Sequence, residues 1–206
     1  MAVLIVTDIF GLTTELAAFS QSLNAELMTP YEHQNEHKNQ YENKPFKDEA
    51  HAYQTFLTEC GHDIYFEQVL NKLQNGKFDS IVAFSAGASA AYRAICEYPI
   101  KHLIAFYPSQ IRHHLNLKPQ SPTTLIFPAQ EPHFDVANTI KSVAQWPLVT
   151  CLQSSQNHGF MNPLSQEFNQ RHSKRFEQVM CPHQFNDHLL IANKFREICH
   201  HEQQNH

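Results

Sequence analysis

The feature that most constrains the fold is a series of short, uninterrupted apolar runs separated by segments with helical periodicity. Apolar runs occur at 2–8, 80–85, 102–108 and 123–129, with weaker candidates at 25–30 and 147–153. Continuous rather than alternating hydrophobicity is typical of strands that are covered on both faces, as in a parallel sheet. Helical patterns occur at 13–24, 48–60, 64–75, 86–98, 134–145 and 184–201. This alternation predicts a doubly wound α/β fold.

Length, charge and cysteine content restrict the class of protein. The chain has 206 residues, which we expect to form one domain over 1–206. A net charge of −5 gives no reason to expect nucleic acid or an anionic membrane as a partner. Five widely spaced cysteines, without a CxxC pair, favour a reducing compartment. No apolar run is long enough for a signal core or a membrane span, so we expect a soluble, cytoplasmic protein.

Two polar segments stand apart from this alternation. Residues 31–49 are predicted to form a long surface loop and a candidate lid, and 184–206 a helix with a polar tail. Within the loop, HQNEH at 33–37 fits the H-x-x-E-H pattern of inverted zinc peptidases. That chemistry needs a helix with both histidines on one face, whereas the surrounding residues are polar on all sides. We therefore expect no metal site here.

Ser85 lies where the apolar run at 80–85 meets the small residues that begin the next helix. Ligands of open α/β sheets bind beyond the carboxyl ends of the strands. A nucleophilic serine at such an end needs a sharp turn and small residues two positions away on either side, which Ala83 and Gly87 supply. The alternative is an ordinary connection between strand and helix, with Ser85 as the N-cap.

Candidate partners for Ser85 follow in the order nucleophile, acid, histidine that α/β-hydrolases use. Glu131 and Asp135 come after the next-to-last strand candidate, and His158 comes after the last one. Because the carboxyl ends of parallel strands share one rim, these side chains are predicted to converge with Ser85. These spacings leave the choice of acid open between Glu131 and Asp135.

Other side chains are expected near the same rim. His133 shares the loop with both acids and is predicted to line the pocket, with a competing role as the base left open. Tyr107 follows the strand candidate at 102–108, where pocket lining and ordinary packing are both open. The remaining pocket walls are expected from loops at 31–49, 108–121 and 160–183.

Four sequence blocks resemble consecutive blocks of the dienelactone hydrolase family of α/β-hydrolases. They are VTDIFGL, AFSAGASAAY, FPAQEPHF and NHGFMNP, and the resemblance runs from about residue 2 to residue 165. It implies a three-layer α/β-hydrolase fold and a triad of Ser85, an acid and His158. The family's acid position corresponds best to Glu131, with Asp135 second.

The resemblance also implies residues around the triad. The oxyanion hole would use the backbone N–H groups of Ala86 and of Ile9 or Phe10. Asp8 stands where the family commonly has a glutamate near the nucleophile. With Phe160 of the HGF block, Asp8 joins the candidates for the substrate pocket.

The chain departs from the family pattern at three points. It has a serine where members often have a cysteine, which favours ordinary ester chemistry. The strands that usually precede the DIFG block are absent, so we expect a sheet of about six strands, with one edge open or covered by a partner. Met161 and Asn162 stand where members that cleave dienelactone carry an arginine for the substrate carboxylate, which argues against dienelactone itself.

The function predicted on these grounds is a serine hydrolase that cleaves a small ester, lactone or thioester through an acyl-enzyme, without a cofactor. The expected partner is a small ester-type molecule, and a homodimer is the candidate assembly. The alternative is a catalytically silent α/β-hydrolase scaffold that binds a small molecule or has a regulatory role, because fold alone does not determine function.

Overall fold

The computed structural model describes residues 2–31, 46–181, 185 and 187–203. Within these residues the chain forms a parallel sheet of six strands in the order β2-β1-β3-β4-β5-β6. The strands are β1 (Val3–Val6), β2 (Glu26–Met28), β3 (Ser80–Phe84), β4 (His102–Phe106), β5 (Thr123–Phe127) and β6 (Val149–Gln153). The prediction of a parallel sheet of about six strands is confirmed, and each predicted run extends slightly beyond its strand.

Helices connect the strands and cover the sheet. They are α1 (Thr14–Leu23), α2 (Glu49–Glu59), α3 (Gly61–Asn75), α4 (Ser85–Ile95), α5 (Val136–Val143), α6 (Gln170–Val179) and α7 (His188–Gln203), with a 3₁₀ helix at Ser109–His113. The six predicted helices correspond to α1–α5 and α7. The prediction of loops at 108–121 and 160–183 was wrong in part, because these segments contain the 3₁₀ helix and α6.

Two hydrophobic cores lie on opposite faces of the sheet, which gives three layers. Along β3, Ile81 and Ala83 face one core, and Val82 and Phe84 face the other. The first core is completed mainly by α3 and α4, and the second by α1, α6 and α7. Because both faces are covered, the middle residues of the central strands are apolar, which explains the continuous apolar runs.

The strand order reverses between β1 and β3, since the chain passes from β1 outward to β2 and then returns to the other side of β1. Such a reversal opens a crevice beyond the carboxyl ends of the two strands, where ligands of open α/β sheets bind. The turn after β1 begins at Thr7, and Ser85 directly follows β3. The fold therefore places the DIFG block beside the candidate nucleophile.

Parts of three sequence predictions lie outside the described residues. They are 32–45 of the proposed lid, which include the HQNEH pattern, residues 182–184 and 186 before α7, and 204–206 of the tail. None of the helices in the described ranges is long and apolar enough to cross a membrane.

Candidate active site

Ser85 occupies a strained turn between β3 and α4. Its φ is +49°, in the left-handed region that residues other than glycine and asparagine rarely adopt. The extended residue Phe84 precedes the helix, and no side chain caps the helix start. The Ser85 Oγ lies 2.8 Å from His158 Nε2. The alternative of Ser85 as a simple N-cap is therefore wrong, because its hydroxyl faces the histidine rather than the helix backbone.

Gly87 allows this turn to pack against β1. A Cβ at position 87 would lie 2.2 Å from the Thr7 carbonyl oxygen and 2.9 Å from Val6 Cγ1. On the other side of Ser85, Ala83 is fully buried in the first core. Small residues at both positions are thus required by close packing at the strand–helix junction.

Glu131 and His158 meet in the loops after β5 and β6. His158 Nδ1 lies 2.6 Å from Glu131 Oε1, and the Glu131 side chain is only 6% exposed. Gly159, with φ of +87°, lets the chain turn sharply directly after the histidine. Ser85, His158 and Glu131 consequently form a continuous hydrogen-bonded chain at the rim of the sheet.

Asp135, the other acid left open by the sequence, lies at a different place. Its Oδ1 accepts a hydrogen bond from the Asn138 backbone N–H at 3.0 Å, and its Oδ2 accepts one from Asn138 Nδ2 at 2.8 Å. It is the N-cap of α5 and is exposed to solvent. Of the two acids, the structure brings only Glu131 to the histidine.

The backbone around Ser85 offers two amide donors. Ala86 N–H lies in the first turn of α4, where an amide has no partner four residues earlier in the helix. Ile9 N–H makes no hydrogen bond to any part of the chain that the structure describes. Phe10 N–H, by contrast, donates to Asp8 Oδ1 at 3.0 Å. Of the two alternatives in the DIFG block, the structure leaves Ile9 as the free donor.

A cleft of about 710 Å³ opens at this point, a size typical of small-molecule sites. Ile9, Ser85, Ala86, Glu131 and His158 all line it. Its further walls come from the start of α2, the 3₁₀ helix and the acid loop, whose exposed His133 lines the cleft as predicted for a pocket residue.

Tyr107 and Phe160 lie beneath the cleft rather than in its wall. Both side chains are fully buried and belong to the second core. The Tyr107 ring centroid lies 4.8 Å from that of His158 and 5.6 Å from that of Phe160. Neither aromatic lines this cleft, and Tyr107 lines a small neighbouring cavity together with Asp8, so the pocket role of both residues stays a prediction. Tyr107 thus packs against the imidazole of His158, and Phe160 packs against Tyr107 within the second core.

Asp8, the remaining pocket candidate, is also buried and does not line the cleft. Its Oδ1 accepts from Phe10 N–H, and its Oδ2 accepts from Asn162 Nδ2 at 2.7 Å. Burial raises the pKa of Asp8 to about 6, against the opposing effect of these hydrogen bonds. Sequence reasoning missed Asn162 as the partner of Asp8. The only signal in the sequence was its position four residues after His158.

Among the residues that the structure describes, no group of three or more His, Cys, Asp or Glu side chains is arranged to hold a metal ion. The site at the rim consists of a hydroxyl, an imidazole, a carboxylate and backbone amides. This combination can carry out nucleophilic attack with general-base assistance.

The chain is similar in sequence to a bacterial protein. No family model matches the chain. Over 129 residues the chain is 33% identical to the uncharacterized protein YczH of Bacillus subtilis (strain 168), a match that covers 60% of this chain and 63% of YczH. The match therefore spans less than two thirds of the relative's length.

Solved structures resemble the chain in fold. A protein from Xanthomonas campestris pv. campestris, provisionally assigned as a hydrolase of the alpha/beta superfamily, matches with a TM-score of 0.53 and 10% identity, over 95% of this chain and 98% of its own. The esterase PE8 matches with a TM-score of 0.43 and 15% identity, over 77% of this chain and 85% of its own. The first of these matches, together with the sheet described above, shows that the chain has an α/β-hydrolase fold.

Proposed function

We propose that the protein is a serine hydrolase that cleaves a small ester, lactone or thioester through an acyl-enzyme on Ser85. One observation carries the proposal: Ser85 Oγ lies 2.8 Å from His158 Nε2, and His158 Nδ1 lies 2.6 Å from Glu131 Oε1. Ser85 begins α4 directly after β3, and Glu131 and His158 lie in the loops after β5 and β6. A serine in a strained turn whose hydroxyl faces a carboxylate-bound imidazole has the geometry of an activated nucleophile.

The first half of the reaction forms the acyl-enzyme. As Ser85 Oγ attacks the carbonyl carbon of the substrate, His158 Nε2 takes the hydroxyl proton. Glu131 holds the proton of the imidazole on Nδ1 and stabilises the imidazolium that forms. The carbonyl oxygen becomes a tetrahedral oxyanion, which accepts hydrogen bonds from the Ile9 and Ala86 amides. Each such donor is typically worth roughly 3–4 kcal/mol in the transition state.

The intermediate then collapses, and His158 gives its proton to the leaving alcohol or thiol. In the second half of the reaction, His158 removes a proton from water, which attacks the acyl carbon. The proton returns to Ser85 Oγ as the acid product leaves, and the enzyme is restored. All steps use groups of this chain and water.

The dimensions and lining of the cleft support a small substrate. Its volume of about 710 Å³ is within the range for metabolite-sized ligands. Arg112, Gln110 and Asn157 place polar groups in the walls, next to exposed carbon from the aliphatic and aromatic side chains. The Xanthomonas protein of the same fold, provisionally assigned as a hydrolase, is consistent with the proposed class.

The test is labelling with a fluorophosphonate, read by intact mass, together with turnover of p-nitrophenyl acetate. We expect stoichiometric labelling of the wild type and none in Ser85→Ala or His158→Ala. Ser109→Ala is the matched control, because Ser109 is another serine of the same cleft and has no role in the proposed reaction. That variant should label like the wild type. A folded wild type that does not label would refute the proposal and leave a binding scaffold as the interpretation.

A further inference from the structure

Beneath the candidate active site lies a buried carboxylate that the proposed reaction does not use. Asp8 is 4% exposed, and both of its oxygens accept hydrogen bonds. Oδ1 accepts from the Phe10 backbone N–H at 3.0 Å, and Oδ2 accepts from Asn162 Nδ2 at 2.7 Å. A charge in such a place costs stability unless it is well paired, so its presence calls for an explanation.

The first hydrogen bond shapes the turn after β1. Phe10 N–H points at the Asp8 side chain, and Gly11 N–H donates to the Asp8 carbonyl oxygen at 3.2 Å. Together these bonds close the turn around Ile9, a residue of the cleft lining whose N–H has no hydrogen-bond partner within the described residues. The Asp8 carboxylate thus determines where one of the two proposed oxyanion donors lies.

The second hydrogen bond reaches the loop that carries His158. Asn162 N–H donates to the Gly159 carbonyl oxygen at 2.9 Å, and Asn162 Oδ1 accepts from Leu164 N–H at 2.9 Å. Because Oδ1 already has this donor, the Asn162 Nδ2 must face Asp8. The orientation of the amide is therefore set by its partners, and Asp8 connects the turn of Ile9 to the loop of His158.

We infer that Asp8 is a positioning residue, which holds the Ile9 amide and the His158 imidazole in their working geometry and stabilises the imidazolium form of His158 through its negative charge. The inference rests on the proposed function, since the imidazolium forms during that reaction. A misplacement of about 1 Å in such a site typically costs about 100-fold in rate.

The surroundings of Asp8 determine when this charge is present. Burial raises its pKa to about 6, and the hydrogen bonds and the His158 imidazole oppose this rise. The other ionisable groups near it are Glu49 of α2, Glu15 of α1, Glu177 of α6, and the hydroxyls of Tyr31, Tyr65 and Tyr107. Burial also raises the pKa of these tyrosines, so they remain neutral. The carboxylate is consequently charged above about pH 6 and neutral below it.

The inference is tested with the variants Asp8→Asn, Asn162→Asp and the double variant that carries both. In Asp8→Asn, one amide nitrogen faces another and the negative charge is lost. In Asn162→Asp, two carboxylates face each other. The double variant restores one amide donor and one carboxylate in exchanged positions, so it is the matched control for both. Circular dichroism and thermal unfolding establish that each variant is folded.

Two readouts are used, and one of them does not depend on activity. At pH 8 we expect each single variant to react with the fluorophosphonate at least about 10-fold more slowly than the wild type, and the double variant to recover most of that rate. In NMR spectra recorded at pH 8, the ring-nitrogen signals of His158 should shift in Asp8→Asn and return close to their wild-type positions in the double variant.

The outcomes separate this inference from the proposed function. A folded Asp8→Asn variant that labels within about twofold of the wild-type rate would overturn the inference while leaving the proposed function intact. A wild type that does not label would refute the proposed function, and the NMR spectra at pH 8 would then decide the inference alone. His158 ring signals that shift in Asp8→Asn and return in the double variant support it, and ring signals that are the same in the wild type and Asp8→Asn overturn it.

Discussion

At the scale of single residues, Glu131 and Asp135 show how position within one loop separates two carboxylates. Glu131 is nearly buried and contacts His158, whereas Asp135 is exposed and caps α5. A carboxylate that accepts from a histidine can hold one tautomer of the ring and stabilise its charged form, whereas a carboxylate at a helix cap satisfies backbone amides. The two acids therefore have different expected effects on activity.

We predict that Glu131→Gln lowers kcat for p-nitrophenyl acetate by about 10³- to 10⁴-fold, because the amide keeps the size of the side chain but loses its charge and its preference for one ring tautomer. Asp135→Asn is the control of matched chemistry. Asparagine is also a good N-cap, so this variant should keep its kcat and almost all of its stability. A loss of activity in Asp135→Asn with Glu131→Gln unaffected would reverse the assignment of the acid.

The order of residues along the chain was sufficient to predict that Ser85, Glu131 and His158 converge. Ser85, Glu131 and His158 each follow a strand, and parallel strands end at the same rim, so their convergence could be inferred. The contact of Asp8 with Asn162 joins loops 154 residues apart in sequence and depends on how both loops fold. No local pattern of residues encodes such a pair.

At the scale of secondary structure, the junction of β3 and α4 depends on contact between backbones. Gly87 lies so close to β1 that a methyl group would overlap the Thr7 carbonyl oxygen. Gly61, at the start of α3, differs in kind: its φ is +75°, yet nothing lies within 4 Å of a Cβ built there. One glycine is required by space and the other by backbone conformation.

We predict that Gly87→Ala destabilises the protein by about 3 kcal/mol or more, since overpacking against a backbone atom cannot be relieved by a change of rotamer. Gly61→Ala should cost only about 1–2 kcal/mol, the usual strain of a left-handed conformation. Urea unfolding of both variants and the wild type measures the difference. Equal losses in the two variants would contradict the close approach of α4 to β1.

Strands and helices could be predicted where their own residues show the apolar pattern of a buried element. The four central strands are buried on both faces, so their sequences are largely apolar and could be recognised. Helix α6 has only Ser173 and Phe176 buried, and most of its other residues are polar. Phe176 anchors this helix to the second core, because its ring centroid lies 5.6 Å from that of Phe106 and 5.3 Å from that of Phe160. A helix with so few buried residues is specified by tertiary contacts, which its own sequence does not show.

At the scale of the whole molecule, the sheet has buried ionisable groups at both ends. Asp8 lies beyond the carboxyl end of β1, and His102 opens β4 at the opposite end. His102 is 1% exposed, and its Nε2 lies 3.0 Å from Thr124 Oγ1. Burial, and to a lesser degree His188, lowers the pKa of His102 to about 3. The contributions of these two groups to the free energy of unfolding therefore change with pH in opposite directions.

The direction of each pH effect depends on whether the native protein or the unfolded chain binds the proton more tightly. Between about pH 6.5 and 3 the unfolded chain protonates His102 and the native protein does not, so the free energy of unfolding falls as the pH falls. Between about pH 6 and 3.8 the native protein protonates Asp8 and the unfolded chain does not, so this contribution rises as the pH falls. Over their whole pH ranges, these effects change the free energy of unfolding by on the order of 5 kcal/mol for His102 and 3 kcal/mol for Asp8.

We predict that His102 and Asp8 together change the free energy of unfolding little between about pH 6 and pH 4, because the protonation of Asp8 in the native protein offsets the protonation of His102 in the unfolded chain. Relative to the wild type, His102→Leu should make the free energy of unfolding rise as the pH falls through this range, and Asp8→Asn should make it fall more steeply. Urea unfolding at a series of pH values from 7.5 to 4 measures these slopes, with the exposed His200→Ala as the control that should match the wild type. The slope, rather than the absolute stability, is the decisive quantity, because the loss of a hydrogen bond to Thr124 lowers the stability of His102→Leu equally at every pH. A wild-type slope unchanged by His102→Leu would show that this histidine does not control the response of the fold to acid.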